Sequence, residues 1–279
     1  MESLFLSLLK IAGAVAIGLP LVVYLAQDSL IFYRQPLSEA RKAEIKRRFP
    51  AATEVIVASA DGAKLHGWLV TPQGVERAPL VLYYGGNAEE ASYMLEAVGD
   101  PVRGETPEVA WLIVNYRGYG ASEGSPSQSG LVADGLAQYD YATRLPGIDA
   151  ERIFLFGRSL GSGVAVQIAA QRPVRAVILV SPFDSLAAVA KRYYWYLPVD
   201  WMLKHRFDSI GLAPQLKQPL LCFFAEHDEV IPGEHSERLF AAWGGPKRKV
   251  LLGGAGHNNA DGAAGFWPAV RDFLKDRHG

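Results

Sequence analysis

Two serines in this chain sit between glycines at the spacing G-x-S-x-G: Gly120-Ala121-Ser122-Glu123-Gly124 and Gly157-Arg158-Ser159-Leu160-Gly161. Small residues on either side of a serine let the backbone turn sharply and lift its hydroxyl clear, which suits a nucleophile. The pattern alone is cheap, so its surroundings decide. The turn needs a strand running straight into the serine and a helix starting straight after it. Ser159 has both: RIFLFG (152–157) precedes it, and LGSGVAVQIAAQ (160–171) follows with helical apolar spacing. Ser122 trails its strand by Tyr-Arg-Gly-Tyr-Gly and is followed by Pro126, so it reads as a loop residue. Ser159 is therefore the expected nucleophile. The competing reading is a Gly-rich helix start that packs or binds an anion.

A hydroxyl nucleophile needs a base, and the base needs an acid to orient it. On a strand–turn–helix serine the partners follow in the order serine, acid, histidine. His257 stands in GGAGHNN, just after the last apolar run, where a loop can present an imidazole. His66 lies in an early strand, His205 in a helical stretch, His235 at a helix start and His278 at the terminus. His227 adjoins the acid candidates. Those candidates are Glu226, Asp228 and Glu229 in AEHDEVIP, at the carboxyl end of the run PLLCFFA. Asp228 is the choice, since Val-Ile-Pro re-enters the fold after it; Asp184 in SPFDSL is the fallback, and a plain solvated acidic loop is the bland reading. Acyl chemistry also needs two backbone N–H groups aimed at the developing oxyanion. Leu160 supplies one, at the positive end of its helix. The other is expected from the loop Gly85-Gly86-Asn87-Ala88, unless that loop is an ordinary turn with Asn87 as N-cap.

The elements that would position these groups alternate. TEVIVAS (53–59) and AKLHGWLV (63–70) read as an antiparallel pair joined by Asp61-Gly62. Buried-strand runs follow at 79–84, 109–115, 152–157, 174–180, 219–225 and 249–253, with helical patterns near 88–98, 128–144, 160–171, 234–242 and 263–277. Such alternation implies an α/β fold with a mostly parallel sheet and helices on both faces, whose working loops lie beyond the carboxyl ends of the strands. Between the runs at 174–180 and 219–225 lies a segment rich in rings: Phe183, Tyr193, Tyr194, Trp195, Tyr196, Trp201 and Phe207. They either line an apolar acyl slot or pack two cap helices on the core.

Composition narrows the classes. The chain has 279 residues, 49% hydrophobic and 20% charged, which excludes general disorder. Its net charge of -1, from 28 basic and 29 acidic residues, argues against a nucleic-acid partner. A single cysteine, Cys222, excludes an internal disulfide and a Cys-rich zinc site. No H-E-x-x-H and no G-x-x-x-x-G-K-[ST] occurs, and the serine chemistry requires no cofactor or metal.

Residues 1–30 read as a membrane anchor helix. Ile11 to Ala26 carry no charge, covering roughly 24 Å of the roughly 30 Å a bilayer core needs. Leu4–Leu9 complete the span if Lys10 snorkels, and Pro20 kinks it. The rivals are a cleaved signal peptide, which a cut after Ala26 disfavours by placing Tyr24 at −3, and a core helix. Arg34, Arg41, Lys42, Lys46, Arg47 and Arg48 after the span favour a single-pass protein with a cytoplasmic catalytic side. Residues 31–52 then connect through an amphipathic helix at 37–49, and 53–279 form one catalytic domain.

GRSLGSG with the later Asp228 and His257, together with NYRGYGASEG (115–124), SLIFYRQP and SPFDSL, resembles the α/β-hydrolase superfamily. Within it, residues 28–279 are similar to the N-terminally anchored serine hydrolases grouped with a bud-emergence suppressor, relatives of the depalmitoylating hydrolases. The resemblance implies the α/β-hydrolase fold with a short cap between strands 6 and 7. It implies a Ser159, Asp228 and His257 triad, oxyanion positions at Asn87 and Leu160, and a small-molecule or lipid-like acyl ester or thioester as substrate. One departure stands out: the family's His-Gly-Asn-Ala is here Gly85-Gly86-Asn87-Ala88. A catalytically silent binding module and an acylpeptide or oligopeptide hydrolase remain alternatives on the sequence.

Overall fold

The computed structural model describes residues 2–100 and 104–275, and the side chains at 2–5, 8–9 and 11–17 lie outside that description. Eight strands form one sheet: β1 (Ala52–Ala58), β2 (Lys64–Val70), β3 (Ala78–Tyr84), β4 (Ala110–Val114), β5 (Ile148–Arg158), β6 (Ala176–Val180), β7 (Leu220–His227) and β8 (Lys247–Gly256). Their order is β1-β2-β4-β3-β5-β6-β7-β8. The β1–β2 and β2–β4 pairs are antiparallel and all others parallel.

The helices are α1 (Glu2–Ile31), α2 (Glu39–Arg48), α3 (Leu95–Val98), α4 (Gln128–Ala142), α5 (Leu160–Ala169), α6 (Leu186–Tyr193), α7 (Val199–Met202), α8 (Ser209–Leu212), α9 (Gly233–Ala242) and α10 (Phe266–Lys275). The sheet is covered on both faces, because alternate residues of each strand point opposite ways. Leu80, Leu82 and Tyr84 of β3 join Leu155, Val164 and Leu239 in one core. Val81 and Tyr83 join Trp111, Phe156 and Phe266 in the other. This is the α/β-hydrolase fold, with α6, α7 and α8 forming the short cap between β6 and β7.

Several expected elements differ in extent. The helix expected over 88–98 is a 3₁₀ turn, Ala91–Met94, leading into the single turn of α3. Glu90 accepts from the Ser92 amide and Asn115 Oδ1 from the Ala91 amide, so the α-helical ladder starts late. The expected 263–277 helix runs over Phe266–Lys275, and 276–277 lie outside the described residues.

The expected membrane anchor and its cytoplasmic orientation are overturned. Among the described residues, no helix is long and apolar enough to cross a membrane. The carboxyl-terminal turns of α1 are committed to the rest of the protein. Gln27 is buried, donates to the Met202 carbonyl at 3.1 Å and accepts from the Lys204 amide at 2.8 Å. Asp28 meets His205 Nε2 at 2.9 Å, and Phe32 packs edge-on against the same ring. Turns that bond to protein cannot lengthen a lipid-facing span. The expected anchor's side chains at 4, 5, 8, 9 and 11–17 lie outside the described residues. The charges read as topological signals belong partly to the domain surface: Arg41 donates to the Ser92 carbonyl and pairs with Glu44 and Glu96. Arg48 also pairs with Glu44 and Glu96.

Candidate active site

The sharp turn expected at Ser159 is present. Strand β5 ends at Arg158, α5 starts at Leu160, and Ser159 between them has φ 49° and ψ −116°. A side chain at Gly157 would meet the Gly161 carbonyl oxygen at 2.5 Å, and one at Gly161 would meet the Tyr84 carbonyl oxygen at 2.0 Å. Helix and strand therefore approach closely only because both flanking residues are glycine. Gly161→Ala is expected to destabilise the fold by about 1–3 kcal/mol or more, since rigid backbone must move to admit the methyl. A thermal melt against the wild type checks this.

Strand β8 runs to Gly256 and hands the chain directly to His257, whose Nε2 lies 2.9 Å from Ser159 Oγ. Strand β7 runs to His227 and delivers Asp228, whose two carboxylate oxygens each lie 2.9 Å from His257 Nδ1. The three side chains are nearly buried. The Val230 and Ile231 amides donate to Asp228 Oδ1 at 3.0 and 2.7 Å and fix the carboxylate. Burial pushes the Asp228 carboxyl up, but its hydrogen bonds, that from His257 foremost, and the nearby His257 charge together hold it below the ordinary aspartate value.

The other candidates are occupied elsewhere. Ser122 Oγ accepts from the His66 amide and donates to the Asn115 carbonyl, so it pins a loop. Asp184 binds His235 and Arg238. Glu229 accepts from the His257 amide at 3.2 Å, and Glu226 from the Gly254 amide.

Asn87, Ser159 and Leu160 line one cavity of about 540 Å³. A larger cleft of about 740 Å³, between Phe49, Glu96 and Trp267, holds none of these residues, so size does not locate the site. Leu160 opens its helix, so no carbonyl within that helix takes up its N–H. The Asn87 side chain is held by protein groups. Its Oδ1 accepts from the Tyr33 amide, the Ala88 amide and the Tyr119 hydroxyl, and its Nδ2 donates to the Ile31 carbonyl at 2.6 Å.

Several supporting residues were missed in the sequence. Tyr116 donates to the Gly85 carbonyl at 2.8 Å and Tyr119 to Asn87, so the YRGYG stretch braces the loop at 85–88. Glu89 accepts from the Gly86 amide at 2.8 Å, from the Tyr83 hydroxyl and from Arg158 Nη1 at 3.0 Å. Arg158 Nη2 donates to the His257 carbonyl at 3.2 Å. Burial works against the Arg158 charge, and Glu89 outweighs it, so the guanidinium is held above its ordinary value. A side chain at Gly85 would meet Glu89 Oε1 at 3.0 Å. The carboxylate thus crowds the place where the family carries its histidine. An arginine inside the serine motif was the available signal for this link; nothing local to Glu89 announces it.

The rings of the cap divide between the two expectations. Phe183, Tyr193 and Tyr194 line the cavity, and Phe207 is fully buried in the core. Trp195 and Trp201 are 82% and 91% exposed and do neither.

The chain's similarities agree with this architecture. The family model described as serine hydrolase matches residues 147–276. The uncharacterized protein Rv2307c of Mycobacterium tuberculosis is 34% identical over 97% of this chain and 95% of its own. Protein bem46 of Schizosaccharomyces pombe is 25% identical over 99% and 96%. Among solved structures, the Pyrococcus furiosus esterase Pf2001 superposes with a TM-score of 0.68 at 18% identity, covering 89% of this chain and 98% of that one. At that identity the last likeness speaks to fold.

Proposed function

The chain belongs to the serine hydrolase family of α/β-hydrolases, and on that premise we propose that it cleaves acyl esters or thioesters through a Ser159 acyl-enzyme. Ser159 Oγ attacks the acyl carbonyl while His257 Nε2 takes its proton. The proton passes to the leaving oxygen or sulfur as the carbon–heteroatom bond breaks. Water then attacks the acyl-enzyme and gives a proton to His257, which passes it to Ser159 Oγ as the bond from Oγ to the acyl carbon breaks and the acid leaves. Asp228 holds the imidazole in the tautomer with Nδ1–H and stabilises the cation that forms. The Asn87 and Leu160 amides stabilise the tetrahedral oxyanion, where losing one donor typically costs about 10²–10³-fold in kcat.

The observation that carries this reading is the unbroken series of 2.9 Å contacts from Ser159 Oγ through His257 to Asp228. The lining beyond Ser159 is largely apolar, which supports an acyl chain as the group bound there. A fluorophosphonate probe tests it. Wild type is expected to label covalently and Ser159→Ala is not. A folded, unlabelled wild type would instead favour a silent binding module.

A further inference from the structure

We propose that the last turns of α1 are a specificity-determining wall of the acyl cavity, and that this wall selects unbranched aliphatic acyl chains. The inference rests on the reading above that Ser159 accepts the acyl group. The cavity that holds Ser159 is lined by the cap residues Val189 and Met202 and by Val23, Leu30 and Ile31 of α1. Chain segments more than a hundred residues apart thus close one apolar space around the serine.

The wall is fastened at both edges. Gln27 bonds to Met202 and Lys204, and Asp28 to His205, which ties it to the cap. The Ile31 carbonyl and Tyr33 amide both bond Asn87, which ties it to the loop carrying a proposed oxyanion donor. α1 therefore sets the distance between cap and loop as well as covering the gap.

The lining also states what fits. The lining is mainly apolar; the Gln27, Asn87 and Tyr193 side chains that reach it are bonded to protein groups, and Glu229 accepts from the His257 amide at an exposed position. A sugar or peptide would bury its own polar groups there against an apolar surface, which is costly, whereas a methylene chain leaves nothing unpaired. Bulky branched acids meet two fixed walls.

The test uses the full chain and p-nitrophenyl esters from acetate to decanoate. For wild type, kcat/KM is expected to rise about fourfold for each added methylene until the cavity is filled. Val23→Trp and Leu30→Trp narrow the space and are expected to lower the ratio of kcat/KM for the longest esters to that for acetate about tenfold or more. Leu30→Ala, which cannot crowd the fold, is expected to flatten the chain-length rise and to improve branched esters relative to linear ones. An unchanged profile in these variants, or a uniform loss across all chain lengths, overturns the proposal. Labelling of wild type by a small fluorophosphonate keeps the two readings apart. A chain that labels at Ser159 yet shows no dependence on α1 refutes the wall alone, and a chain that fails to label refutes the nucleophile on which it rests.

Discussion

Ser159→Ala is expected to lower kcat for ester hydrolysis by about a million-fold, the size of loss seen when a serine nucleophile is removed from such a unit. The substitution removes the only hydroxyl bonded to His257 Nε2 among the described residues. It leaves the backbone as it was: the residue keeps φ 49°, and its amide still donates to the Val180 carbonyl at 2.9 Å. One hydrogen bond is lost, worth about 1 kcal/mol, so the melting temperature is expected to move by only a few degrees. Steady-state kinetics beside a thermal melt separate lost chemistry from lost structure. A variant that keeps more than about a thousandth of wild-type kcat would place the nucleophile elsewhere.

Asp228→Asn carries the next largest effect, about 10⁴-fold in kcat. The amides of Val230 and Ile231 both donate to Oδ1, so an asparagine will keep its oxygen on them. Its amide nitrogen then faces His257 Nδ1 and donates to it. The imidazole must answer with a lone pair at Nδ1, which puts its proton on Nε2, where it can no longer take one from Ser159.

The same substitution has a signature in stability. The folded Asp228 carboxyl sits below its ordinary value, so the unfolded chain binds this proton more readily than the folded one. The ionised carboxylate therefore adds stability above the ordinary aspartate range, near about 3.9. That contribution is lost as pH falls through the ordinary value and then the depressed folded one. Urea midpoints of wild type and Asp228→Asn are expected to differ at neutral pH and to converge in acid. A constant difference across pH would mean the charge plays no part.

Much of this arrangement is legible in sequence because its parts are local. The strand-then-helix context of Ser159 follows from a few residues on each side, and the glycines at 157 and 161 stand where backbones must approach. His257 and Asp228 each follow a strand directly, so topology alone carries them to one end of the sheet. The oxyanion loop was legible in place but not in detail. That Asn87 spends its side chain on Ile31, Tyr33 and Tyr119 depends on residues far from it in sequence.

The N-terminal helix was misread for a physical reason. An apolar run says that water is unfavourable around it, and it is silent on whether lipid, core or a cavity takes water's place. The informative residues were the polar ones at its end. Gln27 and Asp28 look like ordinary helix-end residues until Met202, Lys204 and His205 are brought beside them. The Glu89–Arg158 link was hidden similarly, since it joins side chains 69 positions apart.

The central claim is that an acyl group passes through Ser159. Mixing the protein with a slowly released p-nitrophenyl ester, quenching in acid within milliseconds and weighing the intact chain tests it most directly. The account predicts a mass increase equal to one acyl group, mapped to the peptide bearing Ser159 and absent from Ser159→Ala. Turnover with no adduct at any time, or an adduct on another residue, would contradict it.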